Sequence, residues 1–417
     1  MKTCFSREAF LSWLWVVLCS IAIFLTIPVG RSIQVFVYKN FGRSLFGYSV
    51  LVSISIGFGI LLYYLIFRLK IREPSNYIWL FVITGLYVFF TLKLWKIPEE
   101  AIHFLEYGLL GFFLFKALSL HIKDKSIYIT ATLFALFIGT IDEIIQWIIP
   151  RRYWDFRDAG LNGLSGLLFQ LAIWKIVKPK IISEKINLKS FKKLSLIFAA
   201  CLILLGLCAS NTPERVAAYT TKIPFLAFLQ KEETMSEFGY KIKDAEIGQF
   251  KSRKSAGELD DIDRIKAEEY AQILNQSANI NYDEFIREYN PITNPFLHEM
   301  RVHIFRRDTH LNKGRTATND GEKKEAYFIA YKENIILEKY FGNTLGKSVY
   351  AWDEKKKKEA EAWIDRSRSY KSPVSANLIT SFSEKTMWSG ILGLIALLAG
   401  INVFFYLREK RKEASAV

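Results

Sequence analysis

Ionisable and polar side chains recur at helical spacing in three consecutive apolar segments of this 417-residue chain. The first of these segments carries His103, Glu106 and Tyr107, whose spacings of three and four residues place them on one helical face. Inserting an ionisable group at the centre of a membrane span costs about 2.5–3.5 kcal/mol, so such groups are expected to serve a function. Carboxylates beside a histidine favour acid–base chemistry.

Two sets of candidate residues follow from the three segments. The candidate catalytic residues are His103, Glu106, Asp142, Glu143, Asp155 and Asp158. The candidate substrate-binding residues are Tyr107, Gln146, Arg152, Arg157 and Asn162. We expect Gln146 and Asn162 to orient the substrate. No spacing among these residues is diagnostic of a metal site, and none identifies a cofactor, so neither is predicted.

The residue types suggest how the work would be divided. Asp142 or Glu143 is the expected general base. Arg152 and Arg157 suit an anionic head group, because guanidinium groups bind phosphate or carboxylate bidentately. A structural alternative stays open for single residues, since Asp155 could serve only as a helix N-cap and Arg152 could only pair with it.

Eight segments are long and apolar enough to cross the hydrocarbon core, which needs roughly 20 residues. They are residues 11–29, 46–67, 77–94, 101–120, 127–149, 156–177, 194–209 and 387–407. The sequence therefore predicts an α-helical polytopic membrane protein with about eight transmembrane helices. A charged insert between the seventh and eighth spans is predicted to form a small extracytoplasmic α+β domain.

Basic residues set the predicted orientation, because Lys and Arg are enriched in cytoplasmic loops. The strongest basic cluster lies within residues 175–193, and the C-terminal tail is also basic. With both in the cytoplasm, both termini are cytoplasmic and residues 211–386 are extracytoplasmic. The polar side chains of the three segments, which form one stripe along each helix, then meet in the outer leaflet. Together these three polar stripes form a pocket open to the outside. The predicted location is the bacterial cytoplasmic (inner) membrane.

The net charge of +15 is concentrated in the membrane part of the chain rather than in the insert, where acidic and basic residues nearly balance. This distribution is typical of topology signals and lipid contact, and it argues against nucleic-acid binding. The four cysteines, Cys4, Cys19, Cys201 and Cys208, lie in or beside apolar segments. A disulfide framework is therefore excluded.

The polar stretch resembles the VanZ-like family of bacterial membrane proteins. The resemblance rests on His103-Phe-Leu-Glu106-Tyr107-Gly-Leu-Leu110, on Asp142-Glu143-Ile-Ile-Gln146, and on Arg152, Asp155, Asp158, Asn162 and Gly166. It covers residues 77–177, about a quarter of the chain. The namesake is associated with resistance to the glycopeptide teicoplanin, which acts on cell-wall precursors outside the membrane. The resemblance thus implies a role at the cell envelope but no particular reaction.

The predicted organisation has five parts. Residues 1–76 form two N-terminal transmembrane helices, 77–177 a VanZ-like four-helix domain, 178–210 a basic cytoplasmic loop and seventh span, 211–386 the extracytoplasmic domain, and 387–417 the eighth span and a basic cytoplasmic tail.

Within the insert, residues 256–276 and 353–367 are predicted to be helices. Residues 296–305, 326–331 and 335–340 are predicted to be strands, with breaks at 311–315 and 332–334 and a polar connector at 367–383. His298 and His303 invite comparison with the zincin motif, which needs two histidines four residues apart on a helix. Here they are five apart on a predicted strand, so no metal site is predicted.

These patterns predict a membrane protein whose outward-facing pocket binds a lipid-linked glycan, a lipid head group or a peptide. Processing of the bound component is an open alternative. The expected partners are membrane lipids and a cell-wall precursor or an envelope protein. A rival hypothesis is a non-enzymatic scaffold that binds a protein through residues 211–386. A transporter is disfavoured, because the polar stripes stop at the outer half and no inverted repeat is visible.

Overall fold

A computed structural model of the chain describes residues 7–149, 152–230, 234–365 and 368–415. The chain forms two units. One contains the chain up to Leu207 together with the residues from Trp388 onward, and the other is Cys208–Met387. The predicted insert, residues 211–386, falls within the second unit.

The structure is mainly helical. In chain order the helices are α1 (Arg7–Phe41), α2 (Leu45–Tyr63), α3 (Pro74–Lys93), α4 (His103–Leu118), α5 (Ser126–Ile148), α6 (Phe156–Ala172), α7 (Leu188–Ala209), α8 (Pro213–Lys222), α9 (Ala256–Gln276), α10 (Tyr282–Glu288), α11 (Pro295–Thr316), α12 (Asp320–Tyr340), α13 (Gly342–Gly346), α14 (Glu354–Glu361) and α15 (Glu384–Ser415). The strands are β1 (Tyr240–Asp244), β2 (Gly248–Ser252) and β3 (Tyr370–Lys371). Single π-helical turns extend α2 and α6, and a 3₁₀ turn, Pro98–Ile102, precedes α4.

Eight of the described helices, α1 to α7 and α15, are long and apolar enough to cross a membrane. This fits a helical polytopic membrane protein, as the sequence predicts. The helix ends differ from the predicted spans, most of all for α1, which continues to Phe41 rather than ending at residue 29. Hydropathy marks the apolar stretch that matches the bilayer thickness, whereas a helix can continue past it into polar residues.

Helices α4, α5 and α6 form the buried centre of the membrane unit. Between 50% and 56% of their most apolar stretches is buried, against at most 28% in the other five candidate spans. Buried side chains bridge these helices: Gln170 donates to the carbonyl of Gly111 at 2.8 Å, and Ser165 donates to that of Phe104 at 3.1 Å. The three polar stripes therefore lie on the helices that the rest of the unit shields.

Lysines gather at the end of the membrane unit opposite the start of α6. Lys178 contacts Glu73 and Asn76 near the start of α3, at 2.9 and 2.8 Å. Lys193 donates to the carbonyl of His121 at 3.2 Å. These contacts join the loops that the sequence assigns to the cytoplasm.

The second unit is helical with a small three-stranded sheet in the order β1-β2-β3. Strands β1 and β2 are antiparallel, with Ile242 opposite Phe250, and β3 runs parallel to β2. Gly248 opens β2 with φ +111°, and a Cβ there would lie 2.3 Å from the carbonyl oxygen of Tyr370. Only glycine suits both that backbone conformation and that close approach.

The predicted strands of the insert are wrong. Residues 296–305 belong to α11, and residues 326–331 and 335–340 belong to α12. The predicted breaks at 311–315 and 332–334 also lie inside these two helices. The buried residues Phe296, Met300, Ile304 and Leu311 recur with helical spacing, which the sequence interpretation mistook for alternation.

The two helix predictions in the insert fare better. Residues 256–276 match α9, which begins with a capping box between Ser255 and Glu258. The second predicted helix is shorter in the structure, at Glu354–Glu361, and its predicted last two residues lie outside the described part. The strands of the actual sheet were not predicted, and β3 lies in the segment predicted to be a connector.

Candidate functional site

Three polar side chains from three helices meet at one end of the membrane unit. His103 begins α4, Glu143 lies near the end of α5, and Asp158 lies in the first turn of α6. One nitrogen or oxygen atom from each of the three lies within 4.8 Å of the other two. We call these three residues the triad. Glu143 is 1% exposed, whereas His103 and Asp158 are partly exposed.

Asp142 and Gln146 border the triad on α5. The Gln146 amide donates to Glu143 Oε1 at 2.9 Å and to Asp142 Oδ2 at 3.3 Å. Spacings of three and four residues permit both contacts on one helix. The second carboxylate oxygen of Asp142 is buried and, among the described residues, has no partner in ordinary hydrogen-bond geometry, although Tyr107 lies near it.

Glu106 and Tyr107 follow His103 on α4. Glu106 Oε2 lies 3.4 Å from His103 Nδ1, and the side chains are 24% and 19% exposed. The Tyr107 ring lies 6.1 Å from the His103 ring, and the fully buried Tyr107 side chain lies near Asp142. Leaving a buried polar group unpaired costs about 1–3 kcal/mol, so buried polar groups of this kind add to the energetic cost of the cluster.

Arg157 forms the exposed rim of the cluster. Its backbone N–H donates to Asp155 Oδ1 at 2.7 Å, so Asp155 is the N-cap of α6, as the structural alternative proposed. The guanidinium pairs with Asp158 at 3.5 Å and also with Glu100. The side chain of Arg157 is 51% exposed, so it is accessible to a ligand.

In the described part of the chain, neither Arg152 nor Asn162 forms a hydrogen bond or ion pair with the triad. The Arg152 guanidinium lies beside α1, where a Cβ on Gly30 would be 3.8 Å from its Nη2. Asn162 is fully buried against Gly139 of α5, with 3.5 Å from its Nδ2 to the Gly139 carbonyl. Asn162 therefore supports the crossing of α5 and α6.

Two glutamates at this end were missed by the sequence interpretation. Glu99 and Glu100 lie in the 3₁₀ turn before α4. Gln34 donates to Glu99 at 2.6 Å and Arg43 donates to it at 3.1 Å, while Glu100 pairs with Arg157. Their position just ahead of an apolar segment was the available signal, because acidic residues are favoured in the first turn of a helix.

The second unit has its own buried polar centre, which is structural. Glu333 of α12 is fully buried and lies 2.5 Å from His303 Nδ1. It also accepts from Ser372 at 2.8 Å and from Arg306 at 3.1 Å. Burial by itself would raise the pKa of Glu333, but His303 and the hydrogen bonds lower it below its usual value. The aromatic rings of Phe250 and Phe341 cover the His303 ring, so this centre is closed to solvent.

His298 and His303 do not form a zincin motif, but the reason is not the strand that the sequence predicted. His298 and His303 both lie on α11, but five residues turn a helix by roughly 140° beyond a full turn, so they point apart. His303 Nδ1 already pairs with the carboxylate of Glu333. Burial, with Arg253 adding to it, lowers the pKa of His298 to about 3, so that imidazole is neutral.

The cysteines carry no chemistry at either centre. Cys19, Cys201 and Cys208 are free thiols, and Cys4 lies outside the described residues.

Comparisons of the chain with protein-family models, with curated proteins and with solved structures give no match. The function has to be inferred from the site itself. A histidine, several carboxylates and an exposed arginine at one end of a membrane bundle can transfer protons, bind a cation, or hold an anionic head group.

Proposed function

We propose that the protein binds and processes a component of the bacterial cell envelope in a polar pocket built from α4, α5 and α6. The component is a lipid-linked glycan, a lipid head group or a peptide. The observation that carries the proposal is the meeting of His103, Glu143 and Asp158 within 4.8 Å, although each comes from a different helix.

Burial and charge support a pocket rather than a packing contact. Asp142 and Glu143 are each 1% exposed, and an unpaired carboxylate in a low-dielectric interior is costly. If these residues acted only in helix packing, apolar side chains of similar size would stabilise the fold at least as well. A retained set of buried acids beside a histidine is therefore better explained by chemistry.

The partly exposed rim supports an anionic or hydroxyl-rich head group as the substrate. Arg157 would bind a phosphate or carboxylate of the substrate, since its guanidinium is accessible and faces the cluster. Asp142 or Glu143 would act as the general base, and Gln146 would hold both carboxylates in place.

The proposed orientation places this pocket toward the outside of the cytoplasmic membrane. Its support is the collection of lysines at the opposite end of the unit, including Lys178 and Lys193, which the positive-inside rule assigns to the cytoplasm. The resemblance of residues 77–177 to the VanZ-like family also supports an envelope role, and teicoplanin resistance is one phenotype to examine.

A genetic test separates the pocket hypothesis from the scaffold hypothesis. A strain lacking the gene is complemented with wild type, Asp142→Asn, Glu143→Gln or a chain without residues 211–386, all at equal membrane abundance. The proposal predicts that both pocket variants lose the wild-type phenotype. Full complementation by both variants, with loss only on deletion of the insert, would instead establish the scaffold hypothesis.

A further inference from the structure

The triad offers one imidazole nitrogen and two carboxylate oxygens to a common point. These donors lie within 4.8 Å of one another. Ligand atoms bind Zn²⁺ at about 2.0–2.2 Å, so two donors on one ion lie about 3–4 Å apart. Side-chain rotations that shift the donors by roughly 1 Å would bring all three to one ion. From this geometry we propose that His103, Glu143 and Asp158 bind a divalent transition-metal ion.

The donor types select the class of ion. A mixed nitrogen and oxygen set suits Zn²⁺, Mn²⁺ or Fe²⁺, whereas Ca²⁺ and Mg²⁺ favour oxygen ligands alone. Three protein ligands leave at least one coordination position open, as in catalytic rather than structural zinc sites. The ion is therefore of the Zn²⁺ or Mn²⁺ kind, with room for water or a substrate oxygen.

Two buried polar groups beside the triad, Asp142 and Tyr107, lie near each other and leave part of their hydrogen-bonding capacity unused. Asp142 is 1% exposed and Tyr107 is fully buried, and among the described residues neither Asp142 Oδ1 nor the Tyr107 hydroxyl has a partner in ordinary hydrogen-bond geometry. Gln146 ties the other oxygen of Asp142 to Glu143 of the triad. Asp142 is also close enough to His103 to interact with it electrostatically. An ion with its bound water would supply the missing partners.

Charge balance also favours a cation. Glu106, Asp142, Glu143 and Asp158 all lie around His103. Arg157 pairs with Asp158, but it also serves Glu100 and Asp155. Buried like charges repel strongly in a low-dielectric interior, and a divalent ion would offset two of them.

The surroundings of the triad match the outer shell of metal sites. A metal-binding histidine commonly directs its second ring nitrogen toward a carboxylate. Glu106 occupies that position, 3.4 Å from His103 Nδ1, which leaves Nε2 for the ion. Gln146 fixes Glu143, and Arg157 lies 3.5 Å from Asp158. Glu143 is therefore held by a hydrogen bond, whereas His103 and Asp158 each have a charged neighbour within ion-pair distance.

The metal site rests on the proposed function in one respect, because both proposals take this cluster as the functional site. When bound, the ion would attract a phosphate or carboxylate oxygen of the substrate and polarise it. Metal binding is measured on purified protein without any substrate, so the two proposals can fail separately.

The test is the metal content of the full-length protein in mild detergent. Wild type and variants are stripped with a chelator, incubated with Zn²⁺, Mn²⁺ or Mg²⁺ alone, desalted and analysed by elemental mass spectrometry. The ligand variants are Glu143→Gln and Asp158→Asn. Glu73→Gln is the matched control, because Glu73 pairs with Lys178 at the opposite end of the same unit.

We expect wild type and Glu73→Gln to retain one Zn²⁺ or Mn²⁺ per chain and no Mg²⁺. Each ligand variant should lose at least roughly tenfold in affinity for that ion. Thermal unfolding of the same samples shows that the variants are folded, and bound metal should raise the Tm of wild type but not that of the ligand variants.

Two results would overturn the metal site. One is wild type that retains no Zn²⁺ or Mn²⁺ after loading. The other is a retained ion whose affinity is unchanged in folded Glu143→Gln and Asp158→Asn. If the metal site fails in this way while the same variants still lose the cellular phenotype, the pocket acts without a metal. If metal binds and the phenotype is unaffected, the proposed function fails and the metal site stands.

Discussion

Gly139 of α5 and Asn162 of α6 approach so closely that a Cβ on Gly139 would lie 2.5 Å from the Cβ of Asn162. This contact brings the two helices together one turn below Asp142 and Glu143. Gly166, farther along α6, allows a similar approach to Ala135, where a Cβ would lie 2.6 Å away. Small residues at helix crossings are the usual means of close packing in membranes.

Adding one methyl group at this crossing should separate α5 from α6. We expect Gly139→Ala to lower the stability of the membrane unit by about 1–3 kcal/mol, because an added side chain overpacks the contact. Thermal unfolding in detergent gives the measurement. Gly160→Ala is the matched control, since no atom of the described residues lies within 4 Å of a Cβ there. Equal Tm values for the two variants would contradict the packing description.

The role of Arg157 can be separated from that of an ordinary surface arginine. Arg157 and Arg43 are 51% and 49% exposed and each pairs with a glutamate of the turn before α4. Only Arg157 also faces Asp158 of the triad. We expect Arg157→Ala to weaken binding of an anionic lipid by about 1.5–3 kcal/mol, as for a lost hydrogen bond to a charged group.

Binding of a fluorescent anionic phospholipid to the purified protein measures this difference. Arg43→Ala should bind as wild type does. Equal weakening by both substitutions would mean that general surface charge, rather than the pocket rim, attracts the lipid.

In the second unit, Glu333 is more deeply buried than Glu359 and should contribute more to the free energy of unfolding. Glu333 is fully buried among His303, Arg306 and Ser372, whereas Glu359 is 27% exposed and pairs with Arg315. We expect Glu333→Gln to cost about 3–5 kcal/mol, because it breaks a buried charge pair. Glu359→Gln should cost only about 0.2–1 kcal/mol. Hydrogen exchange at amides of α11 and α12 measures both, and similar losses would refute the assignment of Glu333 as the buried centre.

The second unit should lose stability in mild acid through His298. Its folded pKa is about 3, below the ordinary value of 6.5, so the unfolded chain binds a proton first as the pH falls. The contribution of His298 to stability is therefore fully present above pH 6.5 and falls by up to about 1.4 kcal/mol per pH unit below it, until the folded pKa is reached.

Hydrogen exchange at α11, corrected for intrinsic rates, would show this slope between pH 7 and pH 5. His298→Gln removes the titrating group and should flatten the slope. An identical slope in the variant would assign the acid sensitivity to other groups.

The membrane part was largely predictable from sequence, because lipid imposes one simple rule. A span must satisfy its backbone hydrogen bonds internally, so a long apolar segment is a helix whatever its neighbours are. Helical spacing then placed His103, Asp142 and Asp158 on facing stripes. Predicting that these stripes converge also required the order and direction of the spans. The position of Arg152 beside α1 could not be predicted, because it depends on packing between helices rather than on the spacing of residues along one helix.

The insert was harder to predict, because its helices bury polar residues as well as apolar ones. In α12 the residues Lys332, Glu333 and Asn334 are buried, although they look like a surface turn between two strands. Arg307 is buried in α11, where its guanidinium donates to Asn334 at 3.1 Å. Those contacts pair residues distant in sequence, so no local pattern indicates them.

The most direct test of the account is native mass spectrometry of full-length protein extracted gently from bacterial membranes. Wild type is compared with Asp142→Asn and with the matched control Asp260→Asn, an exposed position on α9. The account predicts an envelope-derived adduct on wild type and on the control that is lost in Asp142→Asn. An adduct that persists unchanged in Asp142→Asn, or wild type without any adduct, would contradict a substrate pocket at this site.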